Sequence, residues 1–379
     1  MDNPPFCPNP QCEFHHPEAV KKAHIAPFRY YNSYTTLVAG TLDRFKCKVC
    51  GRTFTERIFL LDYYTKKTLS YQEFHRAVSC GESLSAMAKH QHCSVASAQN
   101  RLERLSRNSL LFHVDCLSTL TLTGGLTADG FESFDGSQYH PNNINILVGT
   151  DSQFLYGFTH ATLRRKGRMT DAQKVQREKI EHTFKPPRQT LLKAFTELLE
   201  LMPTLWNRTT LPSLEFRTDE HRVYPRALQL IAVLREAMQD GTFTHKTYSS
   251  KAPRNISNEL FPVNYMDREF RKDLAAYHRE SVCFVRNVAN GLARLMCYVM
   301  YHNYQKEFRI HWGKKRTVVH AVMAGVPEEK IREGLGKLYR ERLFYTHHTV
   351  SSLWKKIWNR EYKTPLKKKD EYLPLFVRV

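Results

Sequence analysis

Residues 120–134 read LTLTGGLTADGFESF, residues 143–149 NINILVG and residues 154–163 FLYGFTHATL. In the first stretch Thr, Gly and Phe fall at near-alternating places, and turn chemistry at Asp151–Ser152 separates the other two. The three stretches predict strands joined by short turns, which form an antiparallel meander. Further on, Leu191, Leu192, Phe195, Leu198, Leu199 and Met202 recur at helical spacing. Residues 213–219 (SLEFRTD) predict a strand and residues 224–238 (YPRALQLIAVLREAM) another helix. A helix leading into a fourth strand is the crossover that adds a parallel neighbour.

That order is consistent with an α/β layer fold of RNase H-like type, and several α/β folds share parts of it. Residues 71–107 read as short helices, 241–263 as loop, 264–306 as a long helical region, and 311–379 as a basic, mixed helical stretch. Residues 163–188 are polar, strongly basic and close on a Pro pair, as an insertion or arm. No segment repeats with a period of 20–50 residues, so a solenoid is excluded.

Composition narrows the partners. The 379 residues carry 57 Lys+Arg against 37 Asp+Glu, a net charge of +20, with 41% hydrophobic residues. Such a chain can bury a core, and its charge suits a polyanion. The longest apolar stretch, residues 292–304, contains Arg294 and falls short of the ~20 residues of a membrane span. The start, MDNPPFC, has no apolar run of a secretory signal. We therefore expect a cytoplasmic protein without membrane contact. In that compartment the nine Cys do not read as disulfides. Cys80, Cys93, Cys116, Cys283 and Cys297 are expected as small core hydrophobes.

The other four Cys form two close pairs, CPNPQC (Cys7, Cys12) and CKVC (Cys47, Cys50), with 34 residues between them. Tetrahedral Zn2+ takes four soft ligands, and two knuckles deliver two thiolates each. Gly51 lets the chain turn after the second knuckle. A zinc ribbon over residues 1–62 is the expectation, with His15 or His16 as possible substitutes for a Cys. A closed site of four thiolates is structural.

Residues 81–107, GESLSAMAKHQHCSVASAQNRLERLSR, hold two capped helices: Ser83 caps one with Leu84, Met87 and Ala88 on a face, and Ser94 a second with Val95, Ala98, Leu102 and Leu105. The second helix offers Ser97, Gln99, Asn100, Arg101 and Arg104 on the opposite face, side chains that reach phosphates and base edges. A helix-turn-helix over residues 70–112 is one reading; an αα-hairpin with a solvated face is the other.

Carboxylates at strand ends complete the picture. Asp129 lies on the first meander strand and Asp219, 90 residues on, ends SLEFRTD. A third acid from a packed helix is Asp267 or Glu269. On a helix whose buried stripe is Phe270, Leu274 and Tyr277, Asp267 lies about 60° and about 20° from the first two, while Glu269 points nearly the other way. Three such carboxylates can share two hard divalent ions. Glu132, Asp135, Asp151 and Glu220 are rival acids, and Asp219 also fits an Asx turn.

In order along the chain, CKVCGRTFT, residues 81–105, ADGFESF, RTDEHRVYP, NYMDREFRKD and YHNYQKEF resemble the motifs of bacterial insertion-sequence transposases of the zinc-ribbon, helix-turn-helix and DDE type. The resemblance spans roughly residues 7–310. It implies an RNase H-like catalytic domain over 118–310 with two Mg2+ (or Mn2+) ions, the first acid on Asp129 and the second on Asp219. The family's third acid is Glu in an N-x-x-E context; here NYMD carries Asp267, a departure that leaves Glu269 as the alternate, and the spacing to Phe270–Arg271 is shorter than in the family. Residues 311–379 lie beyond the resemblance, as a C-terminal extension.

The activity so implied is DNA transposition. Terminal inverted repeats would be held by the ribbon and the helix-turn-helix, and strand cleavage and transfer catalysed on transposon-end and target duplexes. A homodimer or larger oligomer at the bacterial nucleoid is expected. Arg164, Arg165, Lys166 and Arg168 of the basic insertion would neutralise phosphates. A catalytically inactive DNA-binding protein of the same fold, and an RNA-processing nuclease, are the competing readings.

Overall fold

The computed structural model describes residues 4–278, 285–309 and 317–378; Cys283 lies outside them. The first module opens with a 3-10 turn, Glu13–His15, and helix α1, Pro17–Lys22. Strands β1 (Phe28–Thr36), β2 (Gly40–Cys47) and β3 (Thr53–Thr55) follow as an antiparallel sheet in that order. Among the described residues its buried core is small, Phe14, Phe28, Phe45 and Phe54 with Cys7, Cys12 and Cys47, and Ala19, Val20, Ala23, Ile58 and Phe59 pack against it half-buried. So small an apolar cluster calls for a covalent or metal staple.

Three helices come next: α2 (Tyr71–Ser79), α3 (Leu84–His90) and α4 (Val95–Thr119). The Ser83 side chain accepts from the Ala86 N–H and that of Ser94 from the Ser97 N–H, so both expected caps form. Phe74, Val78, Met87, Ala88, Ala98, Leu102 and Leu105 pack together. The helix expected to end near residue 107 instead runs 25 residues. Its second half, from Leu110 to Leu117, enters the core of the main sheet. The turn from α4 into the sheet thus lies at Leu120, not near residue 112.

The main sheet has five strands, β4 (Leu126–Phe134), β5 (Pro141–Gly149), β6 (Leu155–Thr162), β7 (Leu214–Asp219) and β8 (Phe243–Tyr248), in the order β6-β5-β4-β7-β8. β4, β5 and β6 form the antiparallel meander; β7 is parallel to β4, and β8 parallel to β7. The chain is therefore mixed α/β. Between β6 and β7 come α5 (Asp171–Thr183), α6 (Thr190–Leu199) and α7 (Met202–Trp206). Residues 223–239 form two helices, α8 (Val223–Gln229) and α9 (Ala232–Gln239), where the sequence reads as one. The break falls at Ile231, whose backbone is extended. β8 occupies part of the stretch that reads as loop. It is an edge strand burying only Phe243, so it lacks the apolar alternation of a half-buried strand.

The remaining helices are α10 (Phe261–Asp273), α11 (Val288–Tyr304), α12 (His320–Met323), α13 (Glu328–Leu338) and α14 (Ser352–Trp358). The described residues from 317 on are no appendage. Leu353, Trp354, Ile357, Trp358 and Phe376 are buried in the same core as Phe158, Leu198 and Leu201. Of the scattered cysteines, Cys116 and Cys297 are buried, but Cys80 is exposed and Cys93 half-buried. Among the described residues no helix is long and apolar enough to cross a membrane.

Candidate functional site

The two knuckles meet. Cys7, Cys12, Cys47 and Cys50 bring their sulfurs within 4.8 Å of one another. Sγ–Sγ is 3.6 Å for Cys7–Cys50 and 3.7 Å for Cys12–Cys47. A tetrahedron with Zn–S of ~2.3 Å has edges of ~3.8 Å, so the sulfurs stand at zinc-ligand spacing. Gly51, at φ +72°, turns the second knuckle back, and its N–H reaches the Cys47 carbonyl. Burial pushes the Cys7 thiol up, and the Cys12 thiol up to about 11. Burial also raises Cys50, but hydrogen bonds from the Arg52 backbone, Asn9 and the neighbouring thiols outweigh it and leave it at about 7. A bound cation would replace these thiols by thiolates. His15 is not a fifth donor: its Nδ1 donates to the Cys7 carbonyl (2.7 Å), and its Nε2 accepts from the Thr346 hydroxyl (2.6 Å). His16 is exposed.

The acids of the main sheet lie on β4, β7 and α10. Parallel pairing sets Leu126 opposite Phe216 and Thr127 opposite Arg217; carried on in register, it sets Asp129 beside Asp219. Alternation puts Thr127, Asp129 and Phe131 on one face of β4, and Phe131 packs edge-on against Phe270 of α10, with ring centroids 5.7 Å apart. Asp129 Oδ1 accepts from the Gly130 N–H (2.7 Å) and from the Tyr224 hydroxyl (3.0 Å). Asp219 Oδ1 accepts from the His221 N–H (2.8 Å), the Asx turn anticipated for it. Burial pushes the Asp129 carboxyl up to about 6; the Asp219 charge adds to the rise, while the Gly130 and Tyr224 hydrogen bonds and the Arg254 charge oppose it.

Asp267 lines a cavity of about 520 Å³ together with Asn264, Arg254, Arg268, Arg271 and Lys272. Arg254 links this cavity electrostatically to Asp129. Glu269 is placed differently from the expectation. The helix ends at Asp273 and Leu274 is extended, so Leu274 and Tyr277 do not share its phase. Its buried residues are Pro262, Val263, Met266, Glu269 and Phe270. Glu269 thus points inward, paired with Lys306 and with Lys272 (3.0 Å), and Asp267 sits at the margin, facing the cavity. Among the described residues the cysteines are the one set of three or more His, Cys, Asp or Glu with all ligand atoms within 4.8 Å. The carboxylates of Asp129, Asp219 and Asp267 do not close that far. Of the rival acids, Asp135 is buried against His160 (2.9 Å) and Asn142 (2.7 Å).

The face of α4 expected to meet DNA is largely spent inside the protein. Arg101 donates to the Lys67 carbonyl and Asn100; Arg104 donates to the Leu61 carbonyl and Asn100. Arg104 also stacks over Tyr63 and Phe376 at 4.4 and 4.9 Å. Gln99 binds Glu103 and Asn290. Ser97 lies at the helix start, half-buried, with its hydroxyl on that of Ser94. Leu61, Tyr63 and Lys67, together with Asn290 and Phe376, cover this polar side. Arg101 and Arg104 are therefore corrected to buried structural cations.

In the basic arm, Thr170 and Gln173 form a capping box that starts α5, and the helix buries no residue. Arg164 pairs with Glu181 (2.7 Å) and Arg165 stacks on Tyr139 (5.1 Å). Lys166 and Arg168 are exposed. Compared with known proteins, the chain matches no family model and no curated protein sequence.

Proposed function

We propose that this protein is a DNA transposase with an RNase H-like catalytic core, cutting and joining strands at the ends of its element. One observation supports the reading: the parallel β4–β7 pairing of Leu126 with Phe216 and Thr127 with Arg217, which, continued in register, sets Asp129 beside Asp219. The sheet order, three antiparallel strands followed by two parallel ones on the far side of the first, supports the RNase H-like assignment. The net charge of +20 suits a DNA partner.

The donor set fits Mg2+ or Mn2+, which take hard oxygen ligands. Among the described residues the hydrogen bonds to Asp129 and Asp219 fall on Oδ1, which leaves Oδ2 of each to serve a cation, with Asp267 as the third ligand. When bound, such ions supply an activated water or 3′-hydroxyl and stabilise the leaving oxygen. The chain's own residues do the rest. Tyr224 and the Gly130 N–H hold the Asp129 carboxylate in one orientation. Arg254, Arg268 and Lys272 attract and align the phosphodiester entering the cavity. The four cysteines hold Zn2+ as a structural centre of a zinc ribbon. The working form is a homodimer or larger oligomer on DNA at the nucleoid.

The test is Mg2+-dependent cleavage and strand transfer on duplexes carrying the DNA ends that flank the coding sequence. We expect activity in the wild-type chain and a loss of orders of magnitude in Asp129→Asn and Asp219→Asn, with DNA binding retained. Binding without cleavage by the wild type would favour a catalytically inactive DNA-binding protein. Preference for hairpin RNA would favour a processing nuclease.

A further inference from the structure

With Arg101 and Arg104 of α4 turned inward, the surface that meets duplex DNA has to be sought elsewhere, and the β1–β2 hairpin offers one. Of the nine residues of β1, only Phe28 is buried. β3 pairs with β2 only at residues 44–46, so the outer part of the hairpin stands free as a two-stranded ribbon.

Its two faces differ. Phe28, Phe45 and Cys47 root one face in the N-terminal core. On the other face Arg29 pairs with Lys46, Asn32 with Arg44 and Tyr34 with Leu42, and a bulge between Tyr30 and Asn32 adds Tyr31. The Arg44 guanidinium lies 5.8 Å from both the Tyr31 and Tyr34 ring centres, and the Lys46 ammonium 5.9 Å from Tyr31. At the foot of this face Arg29, Lys46 and Lys48 line a hollow of about 520 Å³ beside the second cysteine knuckle. Among the described residues none of Arg29, Arg44, Lys46 and Lys48 pairs with a carboxylate. Four cations with no described carboxylate as counter-ion, interleaved with half-exposed tyrosines and with no core to cover, are a surface made for an external polyanion.

We propose that this hairpin face, Arg29, Tyr31, Tyr34, Arg44 and Lys46, is a duplex-DNA contact surface, the ribbon lying in the major groove with its cations on the flanking phosphates. The groove admits a two-stranded β-ribbon. Single-stranded nucleic acid is the poorer occupant. It binds by stacking bases on open aromatic faces, and here Arg44 and Lys46 already lie over the tyrosine rings. The inference rests on the transposase reading for the identity of the duplex, and its test separates the two.

The experiment measures anisotropy of a labelled mixed-sequence DNA duplex, the matching single strand and an RNA duplex of equal length. The protein is the full zinc-loaded chain without Mg2+, titrated at several salt concentrations. The variants are Arg29→Gln/Arg44→Gln/Lys46→Gln and Tyr31→Ala/Tyr34→Ala. Zinc content and thermal midpoint serve as fold controls, since these side chains lie on the face away from the small core.

We expect the cation variant to bind the DNA duplex at least tenfold more weakly. Its log–log salt slope should be smaller by about 0.9 for each phosphate that is no longer neutralised. The tyrosine variant should lose affinity with an unchanged slope. Wild-type binding that the variants do not alter overturns the hairpin proposal alone; a wild type that binds no duplex overturns the transposase reading as well. A larger loss on the single strand or the RNA duplex overturns the choice of occupant. Altered sedimentation with DNA binding intact would make the face a contact between copies and overturn it too.

Discussion

Asp129 receives the Gly130 N–H and the Tyr224 hydroxyl on the same oxygen, which orients the carboxylate without consuming its second oxygen. Tyr224→Phe keeps the buried ring and removes one donor. Residues that orient a metal ligand typically carry 10–100-fold in metal affinity. We expect Mn2+ affinity, read by titration calorimetry, to fall within that range while the thermal midpoint moves little; unchanged affinity would remove Tyr224 from the site. The third acid divides by the same logic. Glu269 is buried and bound to Lys306 and Lys272. Burial alone would raise its carboxyl, but these two lysines outweigh it and hold it below its ordinary value of 4.5. A depressed carboxyl contributes stability that is full above that ordinary value and is lost as pH falls through the lower folded one. Glu269→Gln should therefore lower stability at neutral pH. The cost should lie between the roughly 0–1 kcal/mol of an exposed pair and the roughly 3–5 kcal/mol of a buried one. The difference from wild type should shrink on acidification below 4.5, as urea midpoints across pH would record. Asp267→Asn should abolish strand transfer. A stable but inactive Glu269→Gln would exchange the roles.

At the scale of elements, the N-terminal sheet and α4 each depend on something outside their own periodicity. The module of β1–β3 rests on four phenylalanines and the cysteine cluster, so zinc should contribute much of its folding free energy. Purified protein should contain close to one zinc per chain by elemental analysis. A chelator, or Cys47→Ser with Cys50→Ser, should unfold this module while the five-stranded sheet persists, as hydrogen exchange would resolve by segment. Retained protection of β1 and β2 in zinc-free protein would count against a structural metal. Helix α4 has the caps and apolar stripe its sequence announces, yet its polar side is covered rather than solvated. Arg104 donates to the Leu61 carbonyl between two aromatic rings. Arg104→Ala should accordingly cost stability through lost packing and an unpaired carbonyl. It should leave discrimination between DNA sequences unchanged in a competition assay.

Across the whole molecule, the C-terminal segment holds the parts together. Its Thr346 hydroxyl meets His15 beside the cysteine cluster, and Phe376 covers Arg104 and Arg107 of α4. Trp354 stands edge-on to Phe158 of β6, with centroids 5.6 Å apart. A stretch that reads as a basic extension is thus part of the core. Trp354→Ala, at a site 2% exposed, should cost about 3–5 kcal/mol. Urea unfolding followed on both the N-terminal and the sheet signals would report it, and a cost below 1 kcal/mol would contradict the packing.

Local chemistry was legible in the chain before any packing was known. The cysteine spacing, the Ser83 and Ser94 caps, the three-strand meander and the strand ending in Asp219 are all legible over a few residues, because their causes act between near neighbours. The rest was settled by long-range packing. β8 has too little apolar alternation to declare itself and exists because β7 supplies its partner. Glu269 faces inward because α10 ends at Asp273, before the residues that would have set the opposite phase. Arg101 and Arg104 look like solvated cations until Lys67, Leu61 and Phe376 close around them. His15 and Thr346 meet across 331 residues of chain, a separation over which no periodicity carries information. Burial of a polar side chain is settled by what packs against it, and for His15 and Arg104 part of that packing comes from Thr346 and Phe376, far away in sequence.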